Sequence, residues 1–156
     1  MKNYSSSDKD YDLWVLFNQV RDVLFKARQK ELRPHGITST QAAVLFVIQA
    51  IGNEVTATKI SRWLLREHHS VSALLGRMEK EGLISKTKDL HTKRPPRVVL
   101  TEKGRQAYYH SAERASLHKA MGVLSEEEHQ RLSSLLRQVR DEGLKELAAD
   151  MNPPFP

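Results

Sequence analysis

The sequence of 156 residues contains no cysteine. This absence excludes disulfide bonds, thiolate metal ligands and oxidant sensing by cysteine. No apolar run approaches the roughly 20 residues needed to span a bilayer, and residues 1–8 lack the apolar segment of a signal peptide. We therefore expect a soluble cytoplasmic protein that makes no membrane contact.

The sequence also lacks the motifs of common catalytic and metal sites. There is no His-Glu-x-x-His zinc motif, no glycine-rich phosphate loop and no nucleophile elbow. The run Glu67-His68-His69 cannot converge on one ion, because adjacent residues on a helix diverge by about 100°. His110 and Glu113 form a weaker metal candidate at i, i+3 spacing. We expect no enzyme activity, no cofactor and no metal site.

What the sequence does contain is an excess of positive charge. Lys and Arg number 25 against 19 Asp and Glu, which gives a formal charge of +6. This excess favours a polyanionic partner, although many soluble proteins match it. With 39% hydrophobic residues the chain can bury a core. Its length predicts one domain, or one compact module with helical extensions.

The middle of the chain predicts a helix-turn-helix. Thr38 and Gln41 have the spacing of a capping box, and Thr56 is the predicted N-cap of a second short helix. Trp63 is predicted to be a core or boundary aromatic, because no second aromatic is placed to make a stacking site with it. Two short helices, a tight turn and a third helix make this motif.

The third helix is predicted over about residues 68–81, and Gly82 supplies the left-handed turn that ends it. Four apolar residues at i, i+3, i+4 and i+7 form one stripe. These are Val71, Leu74, Leu75 and Met78. The remaining face carries short polar groups and one cation, and it is suited to a DNA major groove. Taken alone, the segment is more typical of an ordinary amphipathic surface helix, and its surroundings must decide.

A β-hairpin, the wing, is predicted behind this helix over about residues 84–100. The loop at its tip contains Lys93 and Arg94, and Arg97 begins the returning strand. A narrow minor groove attracts an inserted arginine, so Arg94 is the predicted minor-groove residue, with Lys93 or Arg97 as substitutes. For the wing alone, a solvated charged loop is the alternative.

Amphipathic helices flank this region on both sides. The first is predicted from Leu13 to Ala27 and ends before Pro34. A long helix capped by Thr101 is predicted to run through roughly Gly122, and a capping box at Ser125-Glu126-Glu127-Glu128 starts the final helix. Their apolar surface packs either on their own domain or on a second subunit. A lobe of about 65 residues cannot cover so much apolar surface, so we expect a bundle formed between subunits.

The stretch from Ile37 to Gly104 resembles the MarR family of winged helix-turn-helix transcriptional regulators. The matching pieces are Thr38-x-x-Gln41, the run from Val71 to Ile84, the wing from Asp89 to Arg94, and Leu100-Thr101-Glu102-Lys103-Gly104. The resemblance implies an obligate homodimer with intertwined terminal helices, and a cleft that often holds an effector. Three positions depart from the family pattern. Glu67 replaces a Ser that commonly caps the recognition helix, Gly76 replaces an acidic residue, and His91 replaces a wing arginine.

We therefore predict a mainly α fold with a small β-hairpin wing. Residues 1–36 form an N-terminal dimerisation helix, residues 37–101 the DNA-binding lobe, and residues 102–156 the C-terminal dimerisation helices and tail. The predicted function is an effector-responsive repressor that binds a pseudo-palindromic operator in double-stranded DNA as a homodimer. The alternative is a winged-helix module that binds protein and does not read DNA. Six cations of this region argue against it: Arg77, Lys86, Lys88, Lys93, Arg94 and Arg97. The predicted DNA contacts are His68, His69, Ser70, Ser72, Ala73, Arg77, Lys93, Arg94 and Arg97.

Overall fold

The computed structural model describes residues 8–52, 55–88 and 93–147. Within these ranges the fold is mainly helical with one antiparallel hairpin, as predicted. The helices are α1 (Lys9–Leu32), α2 (Ser39–Ile51), α3 (Ala57–Leu64), α4 (His68–Lys80), α5 (Glu102–Ala112), α6 (Ala115–Met121) and α7 (Glu126–Glu146), with a short 3-10 helix at Arg33–His35. The strands are β1 (Ile84–Thr87) and β2 (Arg97–Leu100). Our predictions for Asp89 and His91 in the wing, and for the terminal tail, lie outside the described residues.

The core of the lobe lies where α2, α3, α4 and the hairpin meet. α2 is its central element, because six of its residues are buried. Full burial of a Leu, Ile or Met side chain stabilises the fold by about 1.5–3 kcal/mol. The largest fully buried side chains of the lobe include Leu45, Ile60, Leu75, Met78 and Ile84.

Local hydrogen bonds start the helices where the sequence predicted them. The Thr38 hydroxyl accepts from the Gln41 backbone N–H at 3.1 Å, and the Gln41 side chain accepts from the Thr38 N–H at 2.8 Å. Thr56 caps α3 through the Lys59 N–H. A second capping box at Ser125 starts α7. These predictions are confirmed.

The wing is held in register and against the core. The antiparallel register pairs Thr87 with Arg97 next to the loop and Ile84 with Leu100 at the other end of the hairpin. Ile84 is buried, and so is Val98, which pairs with Lys86. The Val98 N–H also donates to the Val55 carbonyl oxygen at 2.8 Å, which joins the hairpin to the segment before α3. The hairpin is therefore fixed relative to the segment that leads into α3.

The prediction of one long helix from Thr101 to about Gly122 is wrong. Thr101 does cap α5, but this helix ends at Ala112 and α6 begins three residues later. Arg114 lies between them in the left-handed region, at φ 50°. A non-glycine residue rarely adopts this conformation. A specific tertiary contact must therefore stabilise the break.

That contact comes from α1. The carboxylate of Glu31 accepts hydrogen bonds from the backbone N–H groups of Ala115 at 2.9 Å and Ser116 at 3.2 Å, and from the Ser116 hydroxyl. Burial raises the pKa of Glu31, but contacts with Ser116 and Arg28 lower it more, and the resulting pKa is about 2. Glu31 therefore acts as an N-cap for a helix far from it in sequence.

Most of α1 and all of α7 stand away from the core. α1 buries only Arg28 and Leu32, and α7 buries no residue in this chain. Large apolar side chains line both helices and are exposed, among them Leu13, Trp14, Leu16, Val20, Val23, Leu132, Leu135, Leu136 and Val139. In the described ranges no helix has the length and apolarity to cross a bilayer.

Candidate nucleic-acid interface

Helix α4 is anchored to the lobe by its predicted apolar stripe. Val71, Leu74, Leu75 and Met78 are all buried. At its C-terminal end, the Leu83 N–H donates to the Met78 carbonyl oxygen at 2.9 Å, and the intervening Gly82 has φ 73°. This is the left-handed helix end that the sequence predicted. The opposite face of α4 is therefore held outward in a fixed orientation.

The outward face differs in part from the predicted one. With about 100° between successive residues, the positions opposite the buried stripe are His69, Ala73, Gly76 and Lys80. His69, Ala73 and Lys80 are exposed. The sequence prediction included His69 and Ala73 but missed Gly76 and Lys80. A helical wheel centred on the buried stripe would have found both.

The other predicted residues of α4 lie on its two flanks. Ser70 and Arg77 are exposed on one flank, where they line a groove with Arg66 of the α3–α4 turn. His68 and Ser72 lie on the other flank, with His68 Nδ1 and Ser72 Oγ 3.5 Å apart. The six predicted residues of α4 thus span a wide arc. Arg66 is an additional exposed cation on this side of the helix, and no motif in the sequence pointed to it.

The N-terminus of α4 has no side-chain cap. Glu67 occupies the N-cap position, is exposed, and makes no capping hydrogen bond. Glu67 therefore does not take over the capping role of the Ser that it replaces in the family pattern. The first backbone N–H groups of α4 therefore remain available to an anion such as phosphate.

The wing carries exposed cations, and one cation of the wing contacts α4. Lys93 and Arg94 are exposed, whereas Arg97 is half-buried at the start of β2. Lys86, which we had counted among the cations favouring DNA, is paired with Glu79 of α4. Its Nζ lies 3.1 Å from a Glu79 oxygen, and its backbone N–H donates to the other oxygen at 3.2 Å. This contact links α4 to the wing and offsets the charge of Lys86.

The end of α4 is tied to two other helices through Glu81. The Gln41 side chain, already part of the α2 capping box, donates to the Glu81 carboxylate at 2.6 Å. Lys103 Nζ of α5 donates to the Glu81 backbone oxygen at 2.7 Å. The exposed face of α4 therefore cannot turn without disturbing α2 and α5.

A cavity of about 370 Å³ lies between the lobe and the helices outside it. Its lining comes from α1, α2, α5 and α6, and consists of Arg28, Ser39, Ala42, Ala43, Phe46, Ser111, Arg114 and Leu117. The Arg114 guanidinium lies 5.1 Å above the centre of the Phe46 ring. Phe46 also meets Trp63 edge-on, with ring centres 6.3 Å apart. Trp63 is a boundary residue as predicted, but a second aromatic does lie beside it.

His110, the histidine of the candidate metal pair with Glu113, lies against another histidine ring. The rings of His110 and His35 are stacked, with centres 4.5 Å apart. Among the residues that the structure describes, no three His, Asp or Glu side chains are grouped so that they could hold a metal ion.

Comparison with known proteins assigns this architecture to a family. The sequence model of the MarR family matches residues 35–95. The crystal structure of the organohalide-sensing RdhR transcriptional regulator, bound to 2,4-dichlorophenol, is 30% identical, with a TM-score of 0.87. The similarity covers 100% of this chain and 93% of that one.

Two further relatives are more distant. A mutant MarR from E. coli, complexed with operator DNA, is 21% identical over 86% of this chain and 99% of that one, and its TM-score of 0.77 shows the shared fold. The transcriptional activatory protein BadR of Rhodopseudomonas palustris is 26% identical over 62% of this chain, which corresponds to only 56% of BadR. With the RdhR match covering the whole chain, the conclusion is that the protein belongs to the MarR family of winged helix-turn-helix transcriptional regulators.

Proposed function

We propose that the protein is a homodimeric repressor that binds a pseudo-palindromic operator and releases it in response to a small aromatic ligand. The observation that carries this proposal is the outward face of α4, which is fixed by a buried stripe and flanked by a cationic wing. In such a dimer two copies of α4 enter successive major grooves, with half-site centres about 10 bp apart.

Each part of the interface has a proposed role in DNA binding. His68 and His69 lie in the first turn of α4, beside backbone N–H groups that favour phosphate. Ser70, Ser72 and Ala73 contact base edges, and Ala73 suits a thymine methyl group. Arg77 contacts a guanine or a phosphate. Arg94 enters the minor groove, with Lys93 or Arg97 as substitutes.

The dimer is proposed from apolar surface that the single chain leaves uncovered. No residue of α7 is buried. Two groups of exposed apolar residues lie at helical spacing, namely Leu13, Leu16, Val20 and Val23 of α1 and Leu132, Leu135, Leu136 and Val139 of α7. Contiguous apolar surface of this extent marks an interaction site. We therefore assign residues 1–36 and 102–156 to dimerisation and residues 37–101 to DNA binding.

The cavity between α1, α2, α5 and α6 is the proposed effector site. Arg28 is 92% buried, and although its Nη1 lies 3.0 Å from Glu31, the geometry leaves that nitrogen without a hydrogen bond. A phenolate or carboxylate oxygen would supply the missing acceptor, and Phe46 and Leu117 would contact an aromatic ring. The RdhR regulator, which is similar over the whole chain, binds 2,4-dichlorophenol.

Selection of bound fragments from genomic DNA tests the proposed DNA recognition. We expect enrichment of an inverted repeat whose half-sites are about 10 bp apart, and loss of the bound complex when salt rises. Enrichment of no inverted repeat would favour the alternative, a winged-helix module that binds protein. A reporter gene placed behind the selected site then distinguishes repression from activation. BadR is described as an activatory protein, so increased reporter expression would contradict the proposed repression.

Ligand response is tested on the selected operator by fluorescence anisotropy. We expect 2,4-dichlorophenol to release the DNA and to change the fluorescence of Trp63, because Trp63 contacts the cavity residue Phe46. Trp14 is the other tryptophan, and Trp14→Phe removes its signal. Arg28→Met should abolish release if Arg28 binds the phenolate. Equal release from this variant would contradict the assigned site.

A further inference from the structure

The break between α5 and α6 is bridged by one ion pair on α1. Arg28 and Glu31 are spaced i, i+3, and Arg28 Nη1 lies 3.0 Å from the Glu31 carboxylate. Arg28 Nη2 donates to the carbonyl oxygen of Ser111 at the end of α5. Glu31 accepts from Ala115 and Ser116 at the start of α6. We call this pair, with its contacts, the bridge.

The charges of the bridge match the two helix ends that they contact. The C-terminus of a helix carries a partial negative charge and its N-terminus a partial positive charge. Arg28 contacts the C-terminal end of α5, and Glu31 contacts the N-terminal end of α6. Both favour a broken helix, since a continuous helix would satisfy these backbone groups itself. The bridge therefore stabilises the left-handed conformation of Arg114.

We infer that Arg28 and Glu31 are positioning residues that set the angle between α5 and α6, and thereby the distance between the two DNA-reading lobes of the dimer. This inference rests on the proposed function, because it needs a dimer. α5 follows directly from the wing, whereas α6 leads into α7, whose apolar face is exposed among the described residues and is the proposed dimer surface. The angle at the break therefore connects the lobe to the dimer interface.

The bridge also borders the proposed effector cavity. Arg28, Ser111 and Arg114 all line it. A ligand that takes a hydrogen bond from Arg28 competes with Glu31 for the same guanidinium. Occupation of the cavity would then weaken the bridge and change the distance between the lobes. The ligand would contact Arg28 differently in the intact and the weakened bridge, and this difference in affinity is what shifts the equilibrium between the two lobe distances.

The distance between lobes is measured by electron spin resonance of a labelled dimer. Because the chain contains no cysteine, Lys59→Cys places one spin label on the exposed side of α3 in each lobe. We expect one narrow distance distribution for this parent and a shifted or at least twofold broader one for Glu31→Ala. The matched control is Glu102→Ala, which breaks an exposed i, i+3 ion pair with Arg105 on α5. An unchanged distribution in the Glu31→Ala dimer would overturn the inference.

Milder variants and a DNA readout separate positioning from general destabilisation. Ser116→Ala removes one contact of Glu31, and Glu31→Gln keeps an oxygen acceptor but loses the charge; both should change the distribution less than Glu31→Ala. On operators lengthened by 2 bp between half-sites, we expect the parent to lose at least tenfold in affinity and Glu31→Ala less than threefold. If the parent and Glu31→Ala lost the same affinity on the lengthened operator, the inference would be overturned but the proposed function would stand. Failure of the parent to dimerise or to select an inverted repeat would instead refute the proposed function.

Discussion

Arg77 on the exposed flank of α4 is the residue whose removal best tests the proposed DNA contacts. A base contact by an arginine contributes about 1–3 kcal/mol to the free energy of DNA binding. A phosphate contact contributes about one unit to the salt slope, which is the slope of log affinity against log salt concentration. We expect Arg77→Ala to weaken operator binding roughly 5- to 150-fold. Anisotropy titrations at several salt concentrations measure both quantities. Lys119→Ala, which removes an exposed cation from α6, should change neither. An unaltered affinity and slope in Arg77→Ala would contradict the assignment.

Glu67 offers a second prediction, because it occupies an N-cap position without capping. Glu67→Ser supplies a capping hydroxyl and removes a negative charge near the DNA. We expect the variant to be about 1 kcal/mol more stable, which raises Tm by about 2–4 °C. Operator affinity should increase as well. Glu67→Gln removes the charge without adding a good cap, so it should increase affinity at nearly unchanged Tm. Circular dichroism and anisotropy separate these effects, and a lower Tm for Glu67→Ser would count against the capping argument.

The sequence predicted the outward-facing residues of α4 unevenly. His69 and Ala73 were found because the stripe of α4 is visible in the sequence, and the outward side follows from it. Lys80 was missed although the same periodicity places it outward. Lys86 was counted as a DNA-facing cation because its pairing with Glu79 depends on how the wing folds back, which local sequence does not reveal.

At the scale of elements, α5 packs closely against the end of α4 through Gly104. A Cβ at Gly104 would collide with the backbone carbonyl oxygen of Leu83, whereas one at Gly76 would meet nothing within 4 Å. We expect Gly104→Ala to cost about 2–3 kcal/mol, because backbone must move. Gly76→Ala should stabilise α4 by about 0.5–1 kcal/mol yet weaken operator binding, since its methyl group would face the DNA. Urea denaturation measures the change in the free energy of unfolding for each variant, and we expect the two changes to have opposite signs. Equal stabilities of Gly104→Ala and Gly76→Ala would contradict the close packing at Gly104.

The bridge between α1 and the α5–α6 break predicts a specific pH dependence. The pKa of Glu31 is lowered from 4.5 to about 2 in the folded protein. The stabilisation of the folded protein by the ionised Glu31 carboxylate is therefore complete above about pH 5, and it is lost as the pH falls towards 2. We expect Glu31→Gln to be less stable than the parent by about 2 kcal/mol at pH 7, less than the full pKa shift would give because the Glu31 side chain is partly exposed to solvent. The difference should shrink below pH 4. Urea denaturation across this range measures it, with Glu102→Gln as the exposed control. A difference independent of pH would refute the charged role of Glu31.

The helix break also shows where local sequence reasoning stops. Capping boxes at Thr38 and Ser125 were predictable because cap and partner lie three residues apart. The cap of α6 is Glu31, which is 84 residues from Ala115. Residues 101–122 contain no proline, and the helical periodicity continues across the break. Only the packing of α1 on this region decides that the helix ends at Ala112.

At the scale of the whole molecule, the described residues form a lobe with its own core and include two long helices whose large apolar side chains are exposed. In the proposed function these two parts need each other, because one lobe alone would read only one half-site. In the proposed dimer, pairing through α1 and α7 would cover the exposed apolar surface and bring two lobes to one DNA duplex. Dimerisation and stability are therefore coupled, and the Tm should rise with protein concentration.

A single substitution on α7 tests this coupling. Val139 is 54% exposed and lies on the same helical face as Leu132, Leu135 and Leu136. In a symmetric interface, Val139→Glu introduces two unpaired carboxylates into apolar surroundings, and we expect dimer affinity to fall at least on the order of a hundredfold. Ser134→Glu adds the same charge on the opposite face of α7 and should leave the dimer intact.

Light scattering at micromolar concentration and the concentration dependence of Tm distinguish the two variants. We expect the parent and Ser134→Glu to be dimers whose Tm rises with concentration. Val139→Glu should be a monomer with a lower, concentration-independent Tm, and its operator binding should fall to that of a single lobe. A monomeric parent, or a Val139→Glu protein that remains dimeric, would show that the exposed stripe of α7 is not the subunit interface.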